Sequence, residues 1–493
     1  MNDALFGMAD ALDPLTVCFV LLGVLLGYVV GVLPGLNRPA ALAVAIPLSY
    51  YMNPLSAVGF LIGIAKASGA GGATTAILIN TPGEPNAVMT CLDGYPLARA
   101  GRAKSALKVA LYGSVIGDVF GTIALILVAK PLATLALKIG PLEMSALMLV
   151  ALTFIAALAG ASVLRGLAAG IFGILVACVG MDIESGTPRL AFGRVELLDG
   201  VPLLAVTVGM LALTEMIIQT EETLVSGRED HITAPSGEDH FSKAEFMNVL
   251  PTILRSSIVG TGIGLLPGLG PTVASFASYA LAKRLALPNE RFGEGELKGV
   301  AAAETADNAV VPASFIPLFA LGLPGSVSAA ILIAALTIHG VTPGPRLFEE
   351  HARLIYGIYG TMLVASVLML VVGRVGLIAF AQLTRVPATI IIPMVVLFCV
   401  LGSYAESNSM FSVYIMVGFA VLGYLMHRFD YSRVTFLIGF VIGPQFELSL
   451  RQSLVLANGD PFIILRHPIA LGITIVALAV ALFFAIPSRR HIL

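Results

Sequence analysis

Charge is scarce in this chain. Lys, Arg, Asp and Glu make up 12% of its 493 residues, against roughly 25% in soluble domains. The net charge is −2, so there is no basic footprint for nucleic acid. Cysteine is scarcer still. Cys18, Cys91, Cys178 and Cys399 lie far apart with no CxxC or metal-ligand spacing, which argues against a disulfide framework and for packing roles. Catalytic signatures are also missing. The seven His form no HExxH pattern, and neither GxSxG nor a Walker A sequence occurs. ATP hydrolysis and the familiar hydrolase chemistries are thereby excluded, and neither an enzyme nor an organic cofactor is expected. The segment before Pro14 holds Asp3, Asp10 and Asp13 but no Lys or Arg. It lacks the basic n-region of a cleaved signal peptide, so the first apolar segment is expected to stay as a helix.

What the chain has is apolar length. Hydrophobic residues make up 57% of it. Leu15–Leu33, Leu107–Ala129, Leu142–Ala161, Val201–Ile218, Leu354–Val372 and Ile469–Ile486 are each long enough to cross a hydrocarbon core of about 30 Å. An all-α polytopic membrane protein is the expected fold class. Fifty-one Gly and 28 Pro fall largely inside apolar runs, where they mark close helix packing and breaks.

One tetrapeptide occurs twice. Leu33-Pro34-Gly35-Leu36 and Leu266-Pro267-Gly268-Leu269 each end a Gly-spaced apolar stretch, with Gly23, Gly27 and Gly31 before the first and Gly260, Gly262 and Gly264 before the second. Asn80-Thr81-Pro82-Gly83 is matched in the same way by Gly322-Leu323-Pro324-Gly325. The only long polar stretch divides the copies. The sequence therefore reads as a first membrane repeat over 1–218, a polar linker over 219–248 and a second membrane repeat over 249–493. Basic residues cluster at Arg99–Lys108 in the first repeat and at Lys283–Lys298 in the second, and the matched loops are poorer in them. The bias flips between halves, which predicts inverted topology with the N-terminus outside and the C-terminus inside.

Paired helix breaks in two related halves are the best sequence pointer to a transporter's binding site. Gly69–Thr90 reads as a re-entrant hairpin with its tip near Asn80–Pro85 and both arms too short to span the bilayer. Freed backbone N–H groups at such a tip suit a carboxylate, and freed carbonyls suit Na+. In the second half, Glu304, Asp307 and Asn308 interrupt an apolar region. Their spacing places them near one helical face, although Glu304 could instead belong to the loop after Lys298. Arg38 has three readings: a bidentate clamp on a substrate carboxylate, an internal partner of Glu84, or an interfacial positive-inside residue.

Three stretches together resemble the large membrane subunit of the tripartite tricarboxylate transporters, the TctA family: GVLPGL at Gly31–Leu36, GGATTAILINTPGEP through DGYPLARAGRA from Gly71 to Ala103, and GLPG through IHGVTPGP from Gly322 to Pro345. The resemblance implies a permease of roughly twelve membrane segments in a bacterial inner membrane. It also implies a small four-helix membrane subunit, a periplasmic substrate-binding protein, and carboxylate import driven by a cation gradient, usually Na+. The chain departs from the family pattern at Asn37-Arg38, where Gly-Pro is common, at Asp307 within Ala306-Asp307-Asn308, where Ala-Asn-Asn is common, and at Glu84, where small or neutral residues are usual. These changes put citrate itself in doubt and leave the carboxylate class intact.

The expected substrate site therefore comprises Pro34, Gly35, Asn37, Arg38, Asn80, Thr81, Pro82, Gly83, Gly268, Gly325 and Ser326. The expected coupling-ion site, for Na+ or H+, comprises Thr74, Thr75, Asn80, Asp307, Asn308 and Gly322. Elevator-like alternating access is the expected motion. The competing readings are a channel or a passive scaffold subunit, which would show no dependence on an ion gradient.

Overall fold

The computed structural model describes residues 2–33, 37–82, 84–158, 162–182, 186–226, 239, 241–266, 269–381, 388–457, 460, 463 and 466–485. Pro34, Gly35, Gly83 and Gly268 of the expected site, and the basic C-terminal residues Arg489 and Arg490, lie outside them. The protein is an all-α polytopic membrane protein. Among the described residues, seven helices are long and apolar enough to cross a membrane, and shorter apolar helices accompany them.

The first half runs α1 (Asn2–Asp10), α2 (Pro14–Val32), α3 (Arg38–Ser49), α4 (Pro54–Ile79), α5 (Val88–Arg99), α6 (Ala103–Ala136), α7 (Pro141–Leu158) and α8 (Val163–Ala177). A small antiparallel ribbon follows, β1 (Gly180–Met181) paired with β2 (Pro188–Arg189). Next, α9 (Leu203–Thr207) passes through a π-helical stretch, Val208–Leu213, into α10 (Thr214–Ser226). The second half runs α11 (Lys243–Gly264), α12 (Gly270–Arg284), α13 (Leu297–Ala313), α14 (Phe315–Leu321), α15 (Val327–Ile338), α16 (Leu347–Glu350), α17 (Ala352–Ala381), α18 (Ala388–Ser407), α19 (Met410–Arg428), α20 (Arg433–Leu456) and α21 (Pro468–Ala485).

Local chemistry sets the helix ends. The Asp13 carboxylate accepts from the Leu15 and Thr16 N–H groups, and Pro14 opens α2, where a proline costs nothing because that N–H is unpaired anyway. Asn53 caps α4 in the same way, ahead of Pro54. Ser242 and Glu245 form a reciprocal capping box at α11. The polar stretch between the halves is thus partly helical, since α10 enters it and α11 begins within it.

The glycines act as contact points. A Cβ at Gly23 would collide with the Phe60 carbonyl, and one at Gly31 with the Ser68 carbonyl, so α2 lies directly on α4. In the second half Gly260 and Gly264 press on Ala306 and Ala313 of α13, while Gly262 meets nothing within 4 Å. The working spacing is therefore four in both halves, as in small-xxx-small membrane contacts.

That packing corrects the expected hairpin. The first arm does not start at Gly69: α4 runs unbroken for 26 residues from Pro54 to Ile79 and ends at the expected tip, Asn80, a length of about 39 Å, enough to span a bilayer. The small residues bring α4 onto α2, with Gly71 against Gly31, and its backbone hydrogen bonds stay intact. Only the following arm, α5, is short at 12 residues. The second half has a comparable order of elements here. α13 and α14 bend at Ser314 after Pro312, end at Gly322, and are followed by the 12-residue α15. The two tips share one conformation. Asn80 has φ +53° and Gly322 φ +73°, a left-handed cap that glycine and asparagine adopt most easily. Of the four cysteines, only Cys399 is fully buried and Cys18 is exposed, so the packing role expected of all four holds fully for one.

Candidate functional site

Arg38 begins α3, just after the first helix break. Its backbone N–H donates to Glu84 Oε1 at 2.7 Å, its Nε to Ser68 Oγ at 3.1 Å, and its Nη2 to Asp307 Oδ2 at 3.2 Å. The same Nη2 lies 3.5 Å from Glu84 Oε2. Arg38 is 2% exposed, which removes the interfacial reading, and its fork is already engaged on two internal acids. The pair with Glu84 is present, and Asp307 from the other half completes it. The three charged residues at which the chain departs from the family pattern are therefore one buried group.

One turn before Asp307, Glu304 is buried inside α13, so the alternative placement in the preceding loop is excluded. Its carboxylate accepts from Thr90 Oγ1, and from Ser114 Oγ at 3.4 Å. Asn308 Nδ2 donates to Ser114 Oγ at 2.9 Å and to the Glu304 carbonyl at 3.0 Å. A Cβ on Gly69 would meet Arg38 Nη2, Asp307 Oδ2 and Asn308 Oδ1. These groups come together over position 69, which has no side chain to keep them apart. Asp307 Oδ1, Asn308 Oδ1 and Thr74 Oγ1 are buried without hydrogen-bond partners among the described residues, whereas Thr75 Oγ1 donates to the Gly72 carbonyl at 3.0 Å. The formal count is one guanidinium against three carboxylates, Glu84, Glu304 and Asp307. Buried charge left uncompensated is costly, and this centre holds more acids than cations.

Other expected residues lie elsewhere. Asn37 uses its side chain to cap α3, accepting from the Ala40 N–H at 2.9 Å. Asn80 and Pro82 are exposed and Thr81 is half-buried. Asn80 lies eleven residues beyond Gly69 on α4, about 16 Å, so one ion cannot touch both Asn80 and Asn308. Ser326 bonds Ser314 Oγ at 3.0 Å and caps α15 through the Ala329 N–H at 3.2 Å, with Gly325 pressed on Ser314. Gly322 lines a cavity of about 1090 Å³, whose walls include Thr337, Pro343, Arg346, Gln445 and Glu447. Arg346 is exposed on that wall.

Sequence reasoning missed two features. Lys66 and Asp118 form a fully buried ion pair, Nζ to Oδ2, at 2.9 Å. The available signal was a single charge in each of two apolar runs, which in a membrane segment points to function by default. Asp93 Oδ1 accepts from the Gly293, Gly295 and Glu296 N–H groups at 2.8, 3.0 and 2.8 Å, and its Oδ2 accepts from the Tyr279 hydroxyl at 2.8 Å. This clamp ties the first half's Asp-Gly-Tyr-Pro to the loop before α13. The signal was the motif itself, but its partners lie some 200 residues away.

Apolar spanning helices, two matched left-handed tips and an ion-paired centre joining both halves define a multi-pass membrane transport protein. The chain belongs to the Tripartite tricarboxylate transporter TctA family, which residues 17–438 match. It is 35% identical over 484 residues, 98% of this chain and 96% of the relative, to a protein of Agrobacterium vitis described as an uncharacterized 52.8 kDa protein in the TAR-I ttuC′ 3′ region. A second Agrobacterium vitis protein, described as uncharacterized in the TAR-II ttuC′ 3′ region, is 34% identical over 234 residues, 47% of this chain and 97% of that protein. No solved structure matches the chain at a significant level. The family is one of transporter components rather than enzymes.

Proposed function

We propose that this chain is the translocating subunit of a cation-coupled importer of a di- or tricarboxylate or related organic acid, with Na+ or H+ as coupling ion. The observation that carries the reading is the excess of buried carboxylate around Arg38. Three acids against one guanidinium leave room for a further positive charge, a bound cation or a proton, and Asp307 Oδ1, Asn308 Oδ1 and Thr74 Oγ1 offer oxygens unpaired among the described residues. Hard monovalent cations favour such oxygen ligands. The substrate route leads through the cavity at Gly322, where Arg346 offers a cation to an incoming carboxylate. Tip two thus faces open space, and tip one is held by Glu84 on Arg38.

The two halves act as inverted repeats moving in alternating access, elevator-like, within roughly twelve membrane segments. The matched order of elements, the shared tip conformation and the reciprocal contacts of the halves support this. Met416 of α19 meets Gly209 of the first half, and Gly173 of α8 meets Phe436 of the second. The N-terminus lies outside and the C-terminus inside a bacterial inner membrane. A small four-helix membrane subunit and a periplasmic binding protein complete the system.

The test is uptake of labelled carboxylates into proteoliposomes holding this chain and the small subunit, with and without the binding protein and a Na+ gradient. Gradient-driven accumulation is expected, with weaker Na+ dependence in Asn308→Ala. Accumulation that follows only a pH gradient assigns H+ instead. Downhill flux indifferent to both gradients would establish the channel reading.

A further inference from the structure

Lys66 is enclosed in oxygen. Its Nζ donates to Asp118 Oδ2 at 2.9 Å, Thr122 Oγ1 at 3.2 Å, the Met362 carbonyl at 2.8 Å and Ser366 Oγ at 3.1 Å. An ammonium has three protons, so four oxygens surround it where hydrogen bonding alone calls for three. The proton positions orient those oxygens inward. Thr122 Oγ1 donates its own proton to the Asp118 backbone carbonyl at 2.8 Å. Ser366 Oγ lies within donating distance of Asp118 Oδ2 and of the Met362 carbonyl. Both hydroxyls therefore turn lone pairs to Nζ. Asp118 Oδ1 is buried with no partner among the described residues, so the cage holds acceptor capacity that the lysine leaves unused. One carboxylate, two hydroxyls and one carbonyl make the donor set of a monovalent-cation site, with oxygens drawn from α4's neighbours α6 and α17.

The position has a mate. A spacing of 242 residues separates tip Asn80 from tip Gly322, and the same spacing carries Lys66 to Asn308. The partners exchange halves as well. Lys66 of the first half bonds Ser366 of α17, and Asn308 of the second half bonds Ser114 of α6.

We infer that the Asp118–Thr122–Ser366–Met362 cage is a monovalent-cation site occupied by the chain's own ammonium, so that Lys66 serves as a tethered cation. The first half then carries its positive charge permanently. Where the coupling reading above holds, the Asn308 centre is the exchangeable counterpart, and only one of the two matched positions takes an ion from solution. The cage assignment itself stands on the local geometry and does not need that reading.

The test empties the cage. Lys66→Ala and Lys66→Ser are purified with the full chain in nanodiscs. Each is titrated with Na+, K+ or NH4+ against N-methylglucamine, a cation too large for the cage, at constant ionic strength, and thermal unfolding is followed. Either variant is expected to gain a saturable upward shift beyond the wild-type response, on the order of 5 °C at about one hundred times the Kd. Adding Asp118→Asn to Lys66→Ala should remove that gain and return the wild-type response. A wild type silent to Na+ leaves this outcome untouched, since the gain is read as a difference; such silence would count against Na+ coupling alone. A folded Lys66→Ala and Lys66→Ser with no added cation response would overturn the tethered-cation assignment. So would failure of both to fold in Na+-rich or NH4+-rich medium while Lys66→Met with Asp118→Asn folds, because a cage that binds cations would be filled under those conditions.

Discussion

At the scale of single residues, the centre is governed by buried charge. Arg38 holds Glu84 and Asp307 in one geometry, and a guanidinium does this through a planar fork that an ammonium lacks. Arg38→Gln leaves two buried acids without their partner, a loss of about 3–5 kcal/mol by the usual cost of breaking a buried pair. Arg38→Lys should fall between wild type and Arg38→Gln. Arg38→Gln combined with Asp307→Asn and Glu84→Gln should recover much of the loss. Unfolding midpoints in detergent check this, and an unrecovered triple variant would show that Arg38 matters through some contact other than these acids. Gly69 belongs to the same scale. Gly69→Ala places a methyl on Arg38 Nη2, Asp307 Oδ2 and Asn308 Oδ1, so it should weaken cation dependence of uptake more than it lowers the unfolding midpoint. An equal fall in both would make position 69 a packing site only.

At the scale of elements, two devices hold the short and long helices together. The first is direct backbone contact. Gly31→Ala must displace Ser68 of α4, whereas Gly262→Ala meets nothing within 4 Å among the described residues. The first should lose about 1–3 kcal/mol as an overpacked contact, and the second should match or exceed wild type, since alanine is the better helix former. Unfolding midpoints of both variants decide it, and a tolerated Gly31→Ala would refute the close α2–α4 contact. The second device is the Asp93 clamp, which gathers three backbone N–H groups and a tyrosine hydroxyl onto one carboxylate. Asp93→Ala should leave α5 and α13 helical but free the 285–296 loop, which faster proteolysis at that loop would reveal. An unchanged cleavage rate would mean that the loop is held by other contacts.

At the scale of the whole molecule, the arrangement of the halves sets which surfaces face which side. Arg353 of α17 grips Asp10 through Nε at 2.6 Å and Nη2 at 2.7 Å, so the N-terminal helix and the start of α17 share one side. Arg102 bonds Glu245, and Ser105 bonds Asp239, which gathers the polar linker and the α5–α6 junction at another place. With inverted halves, Glu349→Cys should react with an impermeant thiol reagent applied from the periplasm and Arg99→Cys should not, in a background lacking the native cysteines. The reverse labelling would overturn the proposed orientation, and labelling of both would overturn the separation of the two loops across the membrane.

The amino-acid sequence by itself determined the membrane class, the two-fold recurrence of the tips and the family resemblance. Each is carried by local order: apolar length, Pro-Gly breaks, and motifs of four to thirty residues. It also singled out Arg38, Asp307 and Asn308 as candidates, because a charged or amide side chain in an apolar run is conspicuous. Tertiary structure alone decided their partners. Arg38 and Asp307 are 269 positions apart, and Lys66 and Ser366 are 300 apart; no periodicity links such distances. The run Gly69-Ala70-Gly71-Gly72 shows the same limit from the other side. Small residues in sequence are equally compatible with a broken helix and with a helix pressed on a neighbour. Only the tertiary structure shows α2 beside them, with Gly31 facing Gly71, and α4 whole.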